Sequence, residues 1–193
     1  MTALSFGILC FSSLFTVIDP LAAVPVFASL TQGEDRTAMR RIAMRSCAVA
    51  LGVLLVFALS GAFVFRLFGI TLDAFRIGGG LVFLMIGLPM LRGASGSARA
   101  ALAGNDPSVV PLGVPIITGP GAITTVMVLM GQSTSAWHGA ALIAATVMVL
   151  LATCAILVVS PAILRRVGPT GLELFTRVMG LIVVVIGVQL VLD

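Results

Sequence analysis

Charge is what this chain has least of. Asp, Glu, Lys and Arg make up 9% of its 193 residues, where a soluble domain carries roughly 25%. Hydrophobic residues reach 60% and the mean hydropathy is +1.23. So few charges could not solvate a folded surface, which excludes a water-soluble globule and leaves a bilayer as the fitting solvent. Lysine is missing altogether, so all eleven cations are arginine. They lie between apolar runs, and no basic face is interleaved with aromatics. The formal charge of +4 therefore does not point to nucleic acid.

Other shortages exclude particular chemistries. His138 is the one histidine, which argues against a histidine-based zinc site. The three cysteines, Cys10, Cys47 and Cys154, fall in apolar stretches without paired ligand spacing. They read as small buried residues rather than a disulfide framework or metal site. No HExxH and no phosphate-cradling GxxxxGK[ST] is present, and no catalytic serine–histidine pairing is expected. An intramembrane aspartyl hydrolase would need a second carboxylate beside Asp19, and Asp73 and Glu173 fall near helix ends. Neither an enzyme nor a bound cofactor or metal is expected. The N-terminal stretch MTALSFGILCFSSLFTVIDP lacks a basic n-region and a small-residue cleavage site, so it reads as a retained first helix.

What is present is a series of apolar runs. A helix needs about 20 apolar residues to cross the hydrocarbon core. Six stretches qualify, near 3–30, 43–65, 72–91, 109–131, 138–162 and 173–192. The first is interrupted at Asp19-Pro20 and Pro25, the fourth at Pro115 and Thr118-Gly119-Pro120-Gly121. Proline removes an amide donor and glycine tolerates unwound backbone, so both segments are expected to be broken helices. Thr31-Gln-Gly-Glu34 and Thr170-Gly-Leu-Glu173 fit the capping box and should each start the following helix. The stretch 93–107 is rich in Gly, Ala and Ser and reads as a flexible tether. It divides a single transmembrane domain, 1–193, into repeat one (1–92) and repeat two (108–193). Arg36, Arg40, Arg41 and Arg45 follow helix 1, Arg92 and Arg99 follow helix 3, and Arg165 and Arg166 follow helix 5. The opposite side holds Arg66 and Arg76, so the positive-inside rule puts both termini outside.

The halves match each other. A shift of 100 residues lays Pro20 on Pro120, Ala22 on Ala122, Gln32 on Gln132, and Ser60 and Arg66 on Ser160 and Arg166. Leu72-Asp73-Ala-Phe75 then meets Leu172-Glu173-Leu-Phe175, Gly80-Leu81 meets Gly180-Leu181, and Ile86-Gly87 meets Ile186-Gly187. Three helices per repeat is an odd number, so the copies must insert in opposite senses. The expected architecture is all-α, six transmembrane helices as two inverted three-helix repeats, with helices 1 and 4 broken at Asp19-Pro20 and Gly119-Pro120. Such chains bind substrate near the midplane, where broken helices meet.

Asp19 is the acidic residue deepest in a span, and an intramembrane carboxylate is a functional candidate by default. Burial would raise its pKa and suit it to carrying a proton. Ser5, Ser12, Thr16 and Asp19 fall along one helical face that could line a wet path. A plainer role coexists, since Asp-Pro starts helices well and the carboxylate could cap amides near 21 and 22. At the partner break, the restarted helix end could hold an anionic group, with Thr118, Thr124 and Thr125 offering hydroxyls. A Pro-Gly kink serving packing alone is the alternative. Gly78-Gly79-Gly80 and Gly87 give helix 3 a smooth face for packing, within one protomer or across a homo-oligomer. Arg76 and Arg177 read as anchors reaching toward headgroups.

The run Asp19-Pro20-Leu-Ala-Ala-Val-Pro25-Val-Phe27-Ala-Ser-Leu-Thr31 resembles a first-helix signature of the MarC family. Pro111-Leu-Gly-Val-Pro115-Ile-Ile-Thr118-Gly119-Pro120-Gly121-Ala-Ile-Thr124 is similar to its fourth-helix signature. Arg76-Ile-Gly78-Gly79-Gly80 and Arg177-Val-Met-Gly180-Leu-Ile fit its third and sixth helices. The resemblance implies a bacterial or archaeal inner-membrane protein related to the SnatA-type transporters of small neutral amino acids and, more distantly, to LysE-type exporters. It marks Asp19, Pro20, Thr118, Gly119, Pro120 and Gly121 as functional candidates, with membrane lipid and a small neutral amino acid as partners. The family often reads Asp-Pro-x-Gly-Asn-x-Pro, and this chain has Ala22 and Ala23 instead of Gly and Asn, which removes an amide that could ligate an ion or a substrate. The expected function is a secondary transporter, plausibly an exporter, with proton coupling through Asp19. An ion or small-solute channel and a non-transporting scaffold are the alternatives.

Overall fold

The computed structural model describes residues 2–31, 33–92 and 112–192. The 93–107 tether, with Arg99, lies outside them. Every element among the described residues is helical: α1 (Ala3–Ile18), α2 (Pro20–Leu30), α3 (Arg36–Phe68), α4 (Leu72–Leu91), α5 (Leu112–Ile117, wound as a π-helix), α6 (Pro120–Gly131) and α7 (Ala136–Leu192). Among the described residues, four stretches are long and apolar enough to span a bilayer: Ala3–Ala28, Arg36–Gly61, Asp73–Leu91 and Ala136–Pro161. Pro120–Gly131 and Thr176–Leu192 are shorter apolar helices.

Large apolar side chains face outward as well as inward. Leu4, Leu59, Phe63, Met85, Leu151 and Val185 are exposed, while Leu14, Phe27, Leu54, Val126, Leu142 and Leu157 are buried. Polar groups in the interior turn inward on their own helices. Ser46, Thr146 and Thr153 each donate to the carbonyl four residues back, Ile42, Leu142 and Val149. That pattern satisfies a hydroxyl without water, as a lipid-embedded helix requires.

Helix starts follow local chemistry, with two departures from the expected capping boxes. Asp35 caps α3, its carboxylate accepting from Ala38 N at 2.6 Å. Thr31 does not, because its hydroxyl donates to Phe27 O at the end of α2. The second expected box, Thr170 to Glu173, falls inside α7, where helical backbone leaves no free amides to cap. The expected helices 138–162 and 173–192 are thus one continuous helical run. It is not straight, since Ser160 and Met179 line the same cavity and a straight helix would hold them about 28 Å apart. Pro161 and Pro169 fall in that interval, and each removes an amide from the helical ladder.

Close packing is concentrated at glycines. The C-terminal part of α7 runs antiparallel to α4. A Cβ on Gly80 would sit 2.5 Å from Gly187 O, and one on Gly187 would sit 2.8 Å from Gly80 O. Gly87 likewise approaches Gly180 O at 3.0 Å. Backbones this near exclude any side chain at these four positions and bring dispersion contacts to the main chain itself. The N-terminal part of α7 lies along α1, with Phe6 edge-on to His138 at 4.9 Å and Gly7 beside Ala141. Phe57 and Phe65 of α3 meet Phe75 of α4 in a three-ring cluster that fixes the turn between those helices.

Candidate functional site

The first break is made by Asp19. Its backbone has φ 43 and ψ 74, the left-handed region, and it is the only non-glycine among the described residues with positive φ. Aspartate tolerates that conformation better than most residues, yet it still costs about 1 kcal/mol or more. Pro20, at the first position of α2, has no amide to leave unsatisfied there. The Asp19 carboxylate accepts from Ala22 N at 3.2 Å, so the expected cap is present. The side chain remains exposed.

The second break is built differently. Thr118 is buried, and its hydroxyl and amide both bond Gly113 O, closing the π-turn of α5. Gly119 is the N-cap of α6 and offers no side-chain cap. Gly119 and Pro120 are both buried. The Thr124 hydroxyl bonds Gly121 O.

The two breaks touch. A Cβ on Gly121 would meet Val17 Cγ1 at 3.0 Å, and the Pro120 ring fills the space against Gly79 of α4. Two cavities adjoin these elements. One, of about 830 Å³, holds Asp19, Ala22 and Val24 against Ile156, Ser160 and Met179 of α7. The other, an open groove of about 580 Å³, holds Ser12, Ser13 and Thr16 of α1, Arg76 of α4, and Thr124 and Thr125 of α6.

The residues expected to share a site are therefore divided. Asp19 belongs to the first cavity, and Thr124 and Thr125 to the second. Of the others, Pro120 and Gly121 lie at the contacts with Gly79 and Val17, while Pro20, Thr118 and Gly119 are buried beside the breaks. The expected stripe is divided too. Ser12 and Thr16 stay with the groove, whereas the left-handed turn at Asp19 takes its side chain off the periodicity of α1. Ser5 is occupied by the cap at Thr2. Sequence reasoning missed Ser13. Arg76 lies in the first turns of α4, as expected, and also lines the groove, one turn before Gly79. The detectable signal was that spacing to the Gly-rich run. Ala23, where the family pattern often has Asn, is 1% exposed. An amide at that position would enter the core beside the break.

An all-helical chain with an apolar exterior, broken helices in contact and cavities flanking the breaks defines a polytopic integral membrane protein. The MarC family profile, described as MarC family integral membrane protein, matches residues 4–193, and the chain belongs to that family. It is 36% identical over 98% of its length to the UPF0056 membrane protein MJ1677 of Methanocaldococcus jannaschii, covering 96% of that protein. It is 32% identical to the UPF0056 inner membrane protein YhgN of Escherichia coli, over 93% of this chain and 91% of that one. A UPF0056 membrane protein of Aquifex aeolicus is 35% identical over 97% of the chain and 92% of its own length. No solved structure matches.

Proposed function

We propose that this protein is an inner-membrane secondary transporter of small neutral amino acids, built as two inverted three-helix repeats with both termini outside. The observation that carries the reading is the approach of the second break to the first, Gly121 beside Val17, with Pro120 packed on Gly79 of α4 and cavities lined by Asp19 and by Thr124 and Thr125. Unwound backbone at depth is tolerated where it is buried in protein or lines a wet cavity, and a carrier needs both.

The repeat is supported by reciprocal packing. Gly80 meets Gly187, and Gly87 meets Gly180. Under the 100-residue shift each glycine thus contacts the other's copy, the relation expected about a two-fold axis. Met179, the register mate of Gly79, lines the Asp19 cavity as Gly79 backs the second break. Rocking of one repeat against the other would open the breaks alternately to each face. Asp19 is the carboxylate available to carry a proton in that cycle, in the exporting direction. The amino-acid cargo rests on the family resemblance and on cavities of a size to hold a small molecule.

Counterflow in proteoliposomes tests this reading. Vesicles loaded with alanine should accumulate labelled alanine from outside. Solute flux that neither saturates nor shows counterflow would replace the carrier with a channel.

A further inference from the structure

The geometry points to a carboxylate-binding subsite in the groove between α1, α4 and α6, with Arg76 as its anchor. The inference deepens the transporter reading and rests on it for the identity of the cargo. Three observations converge. First, the groove gathers one guanidinium and five hydroxyls, from Ser12, Ser13, Thr16, Thr124 and Thr125, out of three separate helices. Secondly, its polar groups are uncommitted where donors are needed. Among the described residues, Arg76 and the hydroxyls of Ser13, Thr16 and Thr125 have no hydrogen-bonding or ionic partner. Thirdly, the position is fixed by the fold. Gly79, one turn after Arg76, packs on Pro120, which holds this part of α4 against the start of α6.

Asp73 lies on the same helix one turn before Arg76, yet makes no ion pair with it. Arg177 provides the contrast, since it is paired with Glu173 and is half-exposed. Arg76 is part-buried in the groove without a protein partner among the described residues, and a planar oxyanion that accepts a bidentate pair of hydrogen bonds suits it. Two carboxylate oxygens meet that demand, and the hydroxyls of Ser13, Thr16 and Thr125 can donate to the remaining lone pairs. The α-carboxylate of an amino acid is the group assigned. A lipid phosphate shares the oxyanion chemistry and is the competing source.

A protection experiment separates these outcomes. In full-length protein with Cys10, Cys47 and Cys154 replaced by Ala, Ser13→Cys places one thiol in the groove. It is reconstituted in phosphatidylcholine and alkylated with N-ethylmaleimide. Alanine and propionate should slow alkylation, and alaninamide should not. Arg76→Gln should weaken the protecting affinity about tenfold or more, the loss expected for a charge-assisted pair, and Arg76→Lys should recover part of it. Equal protection by alaninamide, protection unchanged in Arg76→Gln, or no protection by any probe overturns the assignment. Protection given by phosphatidylglycerol in place of alanine overturns it in favour of a lipid. Carboxylate protection without alanine counterflow would sink the transporter reading while leaving the subsite standing.

Discussion

The two helix breaks fall at the same register in the two halves of the chain and are made by opposite means. At the first, an aspartate in a left-handed conformation ends α1, caps α2 through Ala22 N, and stays at the edge of a cavity. At the second, a glycine gives the restarting helix no side chain, while Pro120 and Gly121 press against Gly79 and Val17. One break presents a charge, and the other permits close approach. In the proposed carrier, the first break serves as the chemical site and the second as the bearing surface.

The largest effect should come from destroying the bearing. Gly79→Leu would drive its side chain into Pro120 and destabilise the fold by about 1–3 kcal/mol, with loss of transport. Its neighbour Gly78 has nothing within 4 Å of an added Cβ, so Gly78→Leu should leave the melting temperature in detergent unchanged. Equal behaviour of the two variants would show that the α4–α6 contact is not a constraint.

Next comes the charge at the first break. Asp19→Asn keeps a side-chain oxygen for the cap and a residue tolerant of positive φ. It should retain the fold while alanine counterflow drops about tenfold or more, the usual scale for an essential proton-carrying group. Asp19→Ala also removes the cap and should cost about 1 kcal/mol of stability in addition. Wild-type counterflow and pH dependence in Asp19→Asn would reduce Asp19 to a cap and make the two breaks equivalent.

The smallest effect is expected at Arg177. Its pair with Glu173 lies on the surface, about half exposed on both sides, and such pairs contribute about 0–1 kcal/mol. Arg177→Ala should shift thermal stability little and leave counterflow intact. A transport loss matching that of Arg76→Gln would mean the two arginines act alike and the groove is not special.

Much of this was legible in the residues. The dearth of charge gave the membrane, Pro20 and Pro120 gave the breaks, and the span 72–91 coincides with α4. Asp19 announced its own cap, because Asp-Pro specifies both the acceptor and the missing amide. Less local features were harder. Thr31 fits a capping box, yet a hydroxyl can equally donate to the carbonyl four residues back, and Asp35 stands closer to the helix it caps. Arg165-Arg166 and the Thr170 to Glu173 box suggested separate helices, but the helical run passes through them and bends at proline instead of ending. The division of the candidate residues between two cavities depends on a single left-handed backbone angle at Asp19. Periodicity along a chain does not reveal such an angle.

The central claim, a carrier working at two joined helix breaks, is tested most directly by counterflow in proteoliposomes loaded with unlabelled alanine or glycine. Transient accumulation of labelled amino acid, lost in both Asp19→Asn and Gly119→Leu while those proteins remain monodisperse, is the predicted result. Folded wild-type protein that shows no counterflow with any small neutral amino acid would contradict it.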